Sequence, residues 1–153
     1  TEQLWERMKS VHPFVKSCEI SIDAATQDTY ENKTRIGGKW ETLLKQLDFI
    51  INIPTINSYI FSFVVQDSNY KEMYNFFELI NNLNWKTNKN YNVFFNHMTN
   101  WGTFTGEEYL QKDISNPAHD KHEDFLKELN KISGQKNTSH NFNHLFESKV
   151  SLI

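Results

Sequence analysis

Three short runs rich in aromatic and β-branched residues, Cys18 to Asp23, Tyr59 to Gln66 and Tyr91 to Met98, alternate along this chain with segments whose apolar residues recur at helical spacing. Strands that return parallel to one another need a crossover of about a dozen residues, and a helix supplies it. The order strand, helix, strand, helix, strand, helix therefore predicts an α/β fold of parallel βαβ units with right-handed crossovers. In the first run Cys18, Ile20 and Ile22 fall on one face and Glu19, Ser21 and Asp23 on the other. The second run, YIFSFVVQ, reads as a strand buried on both faces.

The helical stripes have legible ends. Leu4, Trp5, Met8 and Val11 predict a short amphipathic helix that Pro13 stops. Thr26 is placed to cap a helical turn. Gly37-Gly38 then opens a helix carrying Trp40, Leu43, Leu44, Leu47, Ile50 and Ile51, which ends at Pro54. Asn69 with Glu72 resembles a capping box ahead of Met73, Phe76, Phe77, Ile80 and Leu83, and Thr105 with Glu108 forms another. Asn116-Pro117 predicts the start of the helix carrying Phe125, Leu126 and Leu129. Residues 1–132 are expected to form one body and residues 133–153, opening on the polar run SGQKNTSHNFNH, a loosely structured tail.

The chain has 153 residues, of which 38% are hydrophobic and 14% aromatic, enough for one domain with one core. It has no apolar stretch of the roughly 20 residues that a membrane-spanning helix needs. A net charge of −3 argues against a broad nucleic-acid-binding surface. Cys18 is the only cysteine, so this chain alone can build neither an intrachain disulfide nor a multi-cysteine metal site. Together with the absence of a signal-like N-terminus, that predicts a cytoplasmic location.

In a parallel array, ligands bind where the strands end, and three loops qualify: Asp23 to Thr26, Gln66 to Asn69, and Asn96 to Thr103. Ser21 and Asp23 share a strand face and suit a ligand's hydroxyls, such as a ribose diol. Arg35 is one of two arginines, and beside Gly37-Gly38 its planar fork suits a carboxylate or phosphate. His119, His122 and Glu123, and separately His140 and His144, have spacings found among metal ligands, but none forms an HExxH arrangement. Cys18 shares a face with Ile20 and Ile22 and reads as a core thiol.

The run ISIDAATQDTYENKTRIGGKWETLLKQLDFI (Ile20 to Ile50), then FVVQDSNYKEM (Phe63 to Met73), then FFNHMTNWGTF (Phe94 to Phe104), resembles the later half of radical S-adenosylmethionine proteins of the SPASM or twitch type. The likeness implies a partial (β/α)6 TIM-like barrel, with these three strands as its fourth to sixth and residues 1–132 as its C-terminal half. It implies S-adenosylmethionine as cofactor, with Ser21 and Asp23 toward its ribose and amino-acid part. Arg35, in R-I-G-G where relatives have R-P-G-G, would take the methionyl carboxylate, and Gln66, Asn69, His97 and Trp101 would line the same cavity.

The chain departs from that family in lacking the CxxxCxxC loop that holds the [4Fe-4S] cluster, the GGE-like amino-group site and any downstream cluster cysteines. The resemblance thus implies a fragment of a radical enzyme, inactive alone, whose partner is the missing N-terminal half of the barrel. An exposed strand edge predicts self-association as well. Two other readings are a non-catalytic half-barrel interaction module and a histidine-based metallohydrolase.

Overall fold

A computed structural model of the chain describes residues 2–143 and Leu145. Helix α1 (Glu2–Arg7) runs into a 3₁₀ turn (Lys9–Phe14), because Pro13 lacks the N–H that a longer α-helix would need. Strand β1 (Ser17–Ser21) follows, then the single turn α2 (Gln27–Thr29), which widens into a π-turn (Tyr30–Thr34). Next come α3 (Trp40–Ile51), β2 (Ser58–Val65), α4 (Met73–Asn81) and β3 (Asn90–His97). The chain continues through α5 (Gly106–Lys112), α6 (His122–Ile132) and β4 (Thr138–His140).

The strands form one all-parallel sheet in the order β1-β2-β3-β4. Register aligns Ile20, Phe61 and Val93 in one row, and this parity of residues meets the helices. Ile22, Tyr59, Phe61, Phe63, Val65, Val93 and Phe95 join Leu47 and Ile51 of α3, Met73, Phe76 and Ile80 of α4, and Phe125, Leu129 and Ile132 of α6 in a single buried cluster. Consecutive strand order with one helix-covered face means that the chain winds in one direction, as it does around a (β/α) barrel. A doubly wound sheet would reverse its order and cover both faces.

The opposite face is uncovered. It carries Ser17, Glu19 and Ser21 from β1, Ser58, Ile60, Ser62 and Val64 from β2, Asn90, Asn92, Phe94 and Asn96 from β3, and Ser139 from β4. Ile60 is 40% exposed and Val64 half-buried, while Ser62 is buried, so the second face of β2 is only partly buried, short of the two-sided burial its composition predicts. Its apolar residues occupy both parities, whereas the helices of this chain cover one. Glu19 is the only charged residue that the four strands place on the open face, in a chain whose residues are 23% charged.

Two further expectations are corrected. The polar run after Ser133 contains β4, where the Val93 N–H donates to the Asn137 carbonyl at 2.8 Å. The run anchors itself through Phe142, 1% exposed, whose ring centroid lies 5.2 Å from that of Phe125. The strand has no alternating apolar pattern because one of its faces is open. Helix α6 begins at His122 rather than at Pro117: the Asn116 side chain accepts from the Ala118 N–H at 2.9 Å and closes a local turn instead of capping a helix. His144 lies outside the described residues.

Candidate functional site at the carboxyl ends of the strands

Immediately after β1 the chain passes through Asp23 in a left-handed conformation, φ 64°, which aspartate tolerates better than most residues. Its carboxylate faces two ways. Oδ1 accepts from the Val64 N–H at 2.8 Å, and Oδ2 takes Arg35 Nη2 at 2.5 Å. The same Nη2 donates to Ser21 Oγ at 2.8 Å, so the three polar residues singled out in the first βα unit form one knot. Asp23 is 8% exposed, while the Arg35 side chain is 41% exposed. Among the described residues, Arg35 Nη1 and Nε have no protein partner.

Local backbone geometry delivers the arginine. Thr26 caps α2 by accepting from the Thr29 N–H at 3.3 Å. The π-turn brings the Arg35 N–H to the Tyr30 carbonyl at 2.8 Å, a widened turn of a kind found often at functional sites. A Cβ on Gly38 would lie 2.7 Å from Tyr30 Cε1 and 2.9 Å from the Arg35 carbonyl oxygen, so the second glycine of R-I-G-G is required by close packing.

The residues after β2 secure this knot from the other side. Asn69, 1% exposed, does not cap a helix. Its Nδ2 donates to the carbonyls of Asp23 at 3.0 Å and Val64 at 2.9 Å, and its Oδ1 accepts from the Gln66 N–H at 2.8 Å. Glu72, the expected partner of a capping box, instead reaches the loop after β1. It accepts from the N–H groups of Ala25 at 2.6 Å and Thr26 at 3.2 Å, and from the hydroxyls of Thr26 and Thr29, both at 2.6 Å. The stronger demand wins: four donors converging from one loop outweigh one helix N-terminus. Gln66 is half-buried at the end of β2 and enters the network through its backbone.

His97 ends β3, and its Nε2 lies 3.3 Å from Asp113 Oδ1, with Asp113 held in turn by the N–H and hydroxyl of Ser115 at 3.1 and 2.6 Å. Burial alone would raise the Asp113 carboxyl, but the hydrogen bonds from His97 and Ser115 together hold it below the ordinary carboxylate range. A depressed folded pKa stabilises the protein at neutral pH, and that contribution is lost as pH falls through it. Asp113→Asn is expected to cost about 1 kcal/mol at neutral pH and to flatten acid-induced loss of stability below about pH 4, read by thermal unfolding across a pH series. Trp101, 88% exposed, stands apart from this network.

His119 and His122 tie loops together. His119 Nε2 lies 3.1 Å from the Gln111 carbonyl and its Nδ1 lies 3.1 Å from both the Lys121 backbone nitrogen and Asp120 Oδ1, and His122 Nδ1 lies 3.0 Å from the Ile114 carbonyl. Among the described residues, no three His, Cys, Asp or Glu side chains gather as a metal site. No helix among them is long and apolar enough to cross a membrane.

No family model matches this chain, and no curated protein matches it. The chemistry the site offers is that of an anion fork beside two oxygen acceptors, Ser21 Oγ and the Asp23 carboxylate, at the mouth of an open, nearly uncharged sheet face. Of the expected site residues, Ser21, Asp23, Arg35 and Asn69 are brought into one network, with Gln66 joined by its backbone. His97 sits two strands away from β1, at the same end of the sheet.

Proposed function

We propose that this chain forms the S-adenosylmethionine-binding part of a radical S-adenosylmethionine enzyme, as the later half of a partial (β/α)6 barrel. The observation that carries the reading is the Ser21–Asp23–Arg35 knot at the carboxyl end of β1, in which the guanidinium engages both partners through Nη2 alone. The one-directional winding of the sheet and its nearly uncharged open face, suited to a barrel interior, support it.

In this role Arg35 binds the methionyl carboxylate through Nη1 and Nε while Asp23 keeps hold of Nη2, a division that its fork geometry allows. Ser21 and Asp23 accept hydrogen bonds from ribose hydroxyls. Gln66 and Asn69 fix the loop that presents them, and His97 and Trp101 border the far side of the mouth. When bound, S-adenosylmethionine would supply a 5′-deoxyadenosyl radical, with methionine leaving, on taking up one electron from outside this chain.

The cluster itself does not fit this chain. Cys18 is its one thiol, and burial, then the nearby Glu19 charge, pushes that thiol's pKa up, away from the thiolate that iron requires. The [4Fe-4S] thiolates belong to an N-terminal half-barrel pairing at the outer edge of β1. There the even-numbered residues bond toward β2, as the Lys16 carbonyl and Ile22 N–H do, and the backbones of Ser17, Glu19 and Ser21 face outward. A reducing, cytoplasmic setting suits both the lone thiol and the cluster.

Titration calorimetry with S-adenosylmethionine tests the assignment: binding in the micromolar range is expected, weakened at least about tenfold in Arg35→Ala and in Ser21→Ala. Equal affinity in all three proteins, or none, overturns it. The open edge of β1 then favours the second reading, an interaction module without catalysis, which predicts dimers in sedimentation.

A further inference from the structure

Phe94 occupies the centre of the open face and belongs to no part of the buried core. Register places Ser62 on one side of it and Ser139 on the other, with Asn92 and Asn96 before and after it on the same face. Both asparagines are oriented by these serines. Asn92 Nδ2 donates to Ser139 Oγ at 2.6 Å, and Asn96 Nδ2 donates to Ser62 Oγ at 2.6 Å. Each amide thereby spends an N–H within the sheet, and among the described residues each Oδ1 has no protein partner.

We infer that this frame binds a neutral, polyhydroxylated ligand of the sugar class, its C–H face on the Phe94 ring and its hydroxyls donating to Asn92 Oδ1 and Asn96 Oδ1. Charge decides the class. A charged ligand would surrender its hydration to a surface that offers neutral Ser and Asn around the ring, with Ile60 and Val64 diagonal to it on β2 and no counter-charge in the frame. A purely apolar ligand would leave the two oriented carbonyls without donors. A sugar meets both demands, since it pairs an apolar ring face with a rim of donors. Within the proposed barrel this face lines the interior, so the inference rests on that reading and names the substrate class. The ligand touches β3, whereas S-adenosylmethionine is assigned to β1 and Arg35.

The test is a ¹H–¹⁵N NMR titration of the full chain with methyl glucoside, reading the Asn92 and Asn96 side-chain amides and the Phe94 backbone. Saturable shifts at these three residues are expected, weakened about tenfold in an Asn92→Ala, Asn96→Ala double variant. Phe94→Leu, which keeps the apolar volume, should weaken them also, and it serves if the double variant does not fold. The absence of shifts up to the solubility of the sugar overturns the inference. So do equal shifts with glucuronate, shifts unchanged in both variants, or shifts produced by N-acetylglycine amide in place of the sugar. Failure of the S-adenosylmethionine assignment would instead appear as silence at Ser21 and Arg35, which the sugar does not contact.

Discussion

Asn69→Ala is expected to destabilise the protein by about 3 kcal/mol, read as a lowered urea midpoint, because one buried amide satisfies three backbone groups at roughly 1 kcal/mol each. The carbonyls of Asp23 and Val64 and the Gln66 N–H have no water to replace it at a site only 1% exposed. Asn69→Asp separates this role from mere volume. Its carboxylate keeps the bond from Gln66 but sets a second acceptor against two carbonyls, so it should cost at least as much at neutral pH. Burial against two carbonyls, with the Gln66 N–H as its single donor, raises such a carboxyl above its ordinary value, and stability should then recover as pH falls and the group takes up a proton. That slope is opposite in sign to the one expected from Asp113 in the natural chain. An Asn69→Asp protein as stable as the natural one at pH 7 would refute the clamp.

The elements were legible where one physical demand dominated. The stripe from Trp40 to Ile51 and the capping box of Thr105 and Glu108 appear as their spacing predicts, because nothing distant competes for those residues. Asn69 and Glu72 fit a capping box equally well by spacing, yet both turn to the loop after β1, more than 40 residues away in sequence. No local pattern records a loop that lacks partners. The same limit hid β4: Thr138 to His140 has no apolar alternation because one side of that strand faces an uncovered surface, and its anchor is the single residue Phe142. The knot of Ser21, Asp23 and Arg35 was half legible. Parity put Ser21 and Asp23 on one face, and arginine chemistry marked Arg35 as an anion fork, but that the first anion in its grasp is the chain's own Asp23 follows from the left-handed turn at that residue.

That turn makes Asp23 the second position where a single atom carries a large effect. Asp23→Ala should cost about 2 to 3 kcal/mol: the Val64 N–H loses its acceptor, Arg35 loses its counter-ion, and alanine is less at ease than aspartate at φ 64°. Asp23→Asn divides these contributions. Its Oδ1 can keep the Val64 N–H and asparagine accepts the left-handed conformation, but its Nδ2 then faces the Arg35 guanidinium donor to donor, so only the ion pair is lost. Because the Arg35 side chain is 41% exposed, solvent screens that pair, and the loss should be about 1 kcal/mol. Salt distinguishes the two losses: the gap between the natural chain and Asp23→Asn should narrow as ionic strength rises toward 1 M, where the screening length falls to about 3 Å, while the further gap to Asp23→Ala should persist. Urea unfolding of the three proteins at low and high salt measures both gaps. If both shrink together, Asp23 acts through its charge alone and the Val64 bond contributes nothing; if neither shrinks, the Arg35 pair contributes nothing, and the fork is already free for a ligand carboxylate.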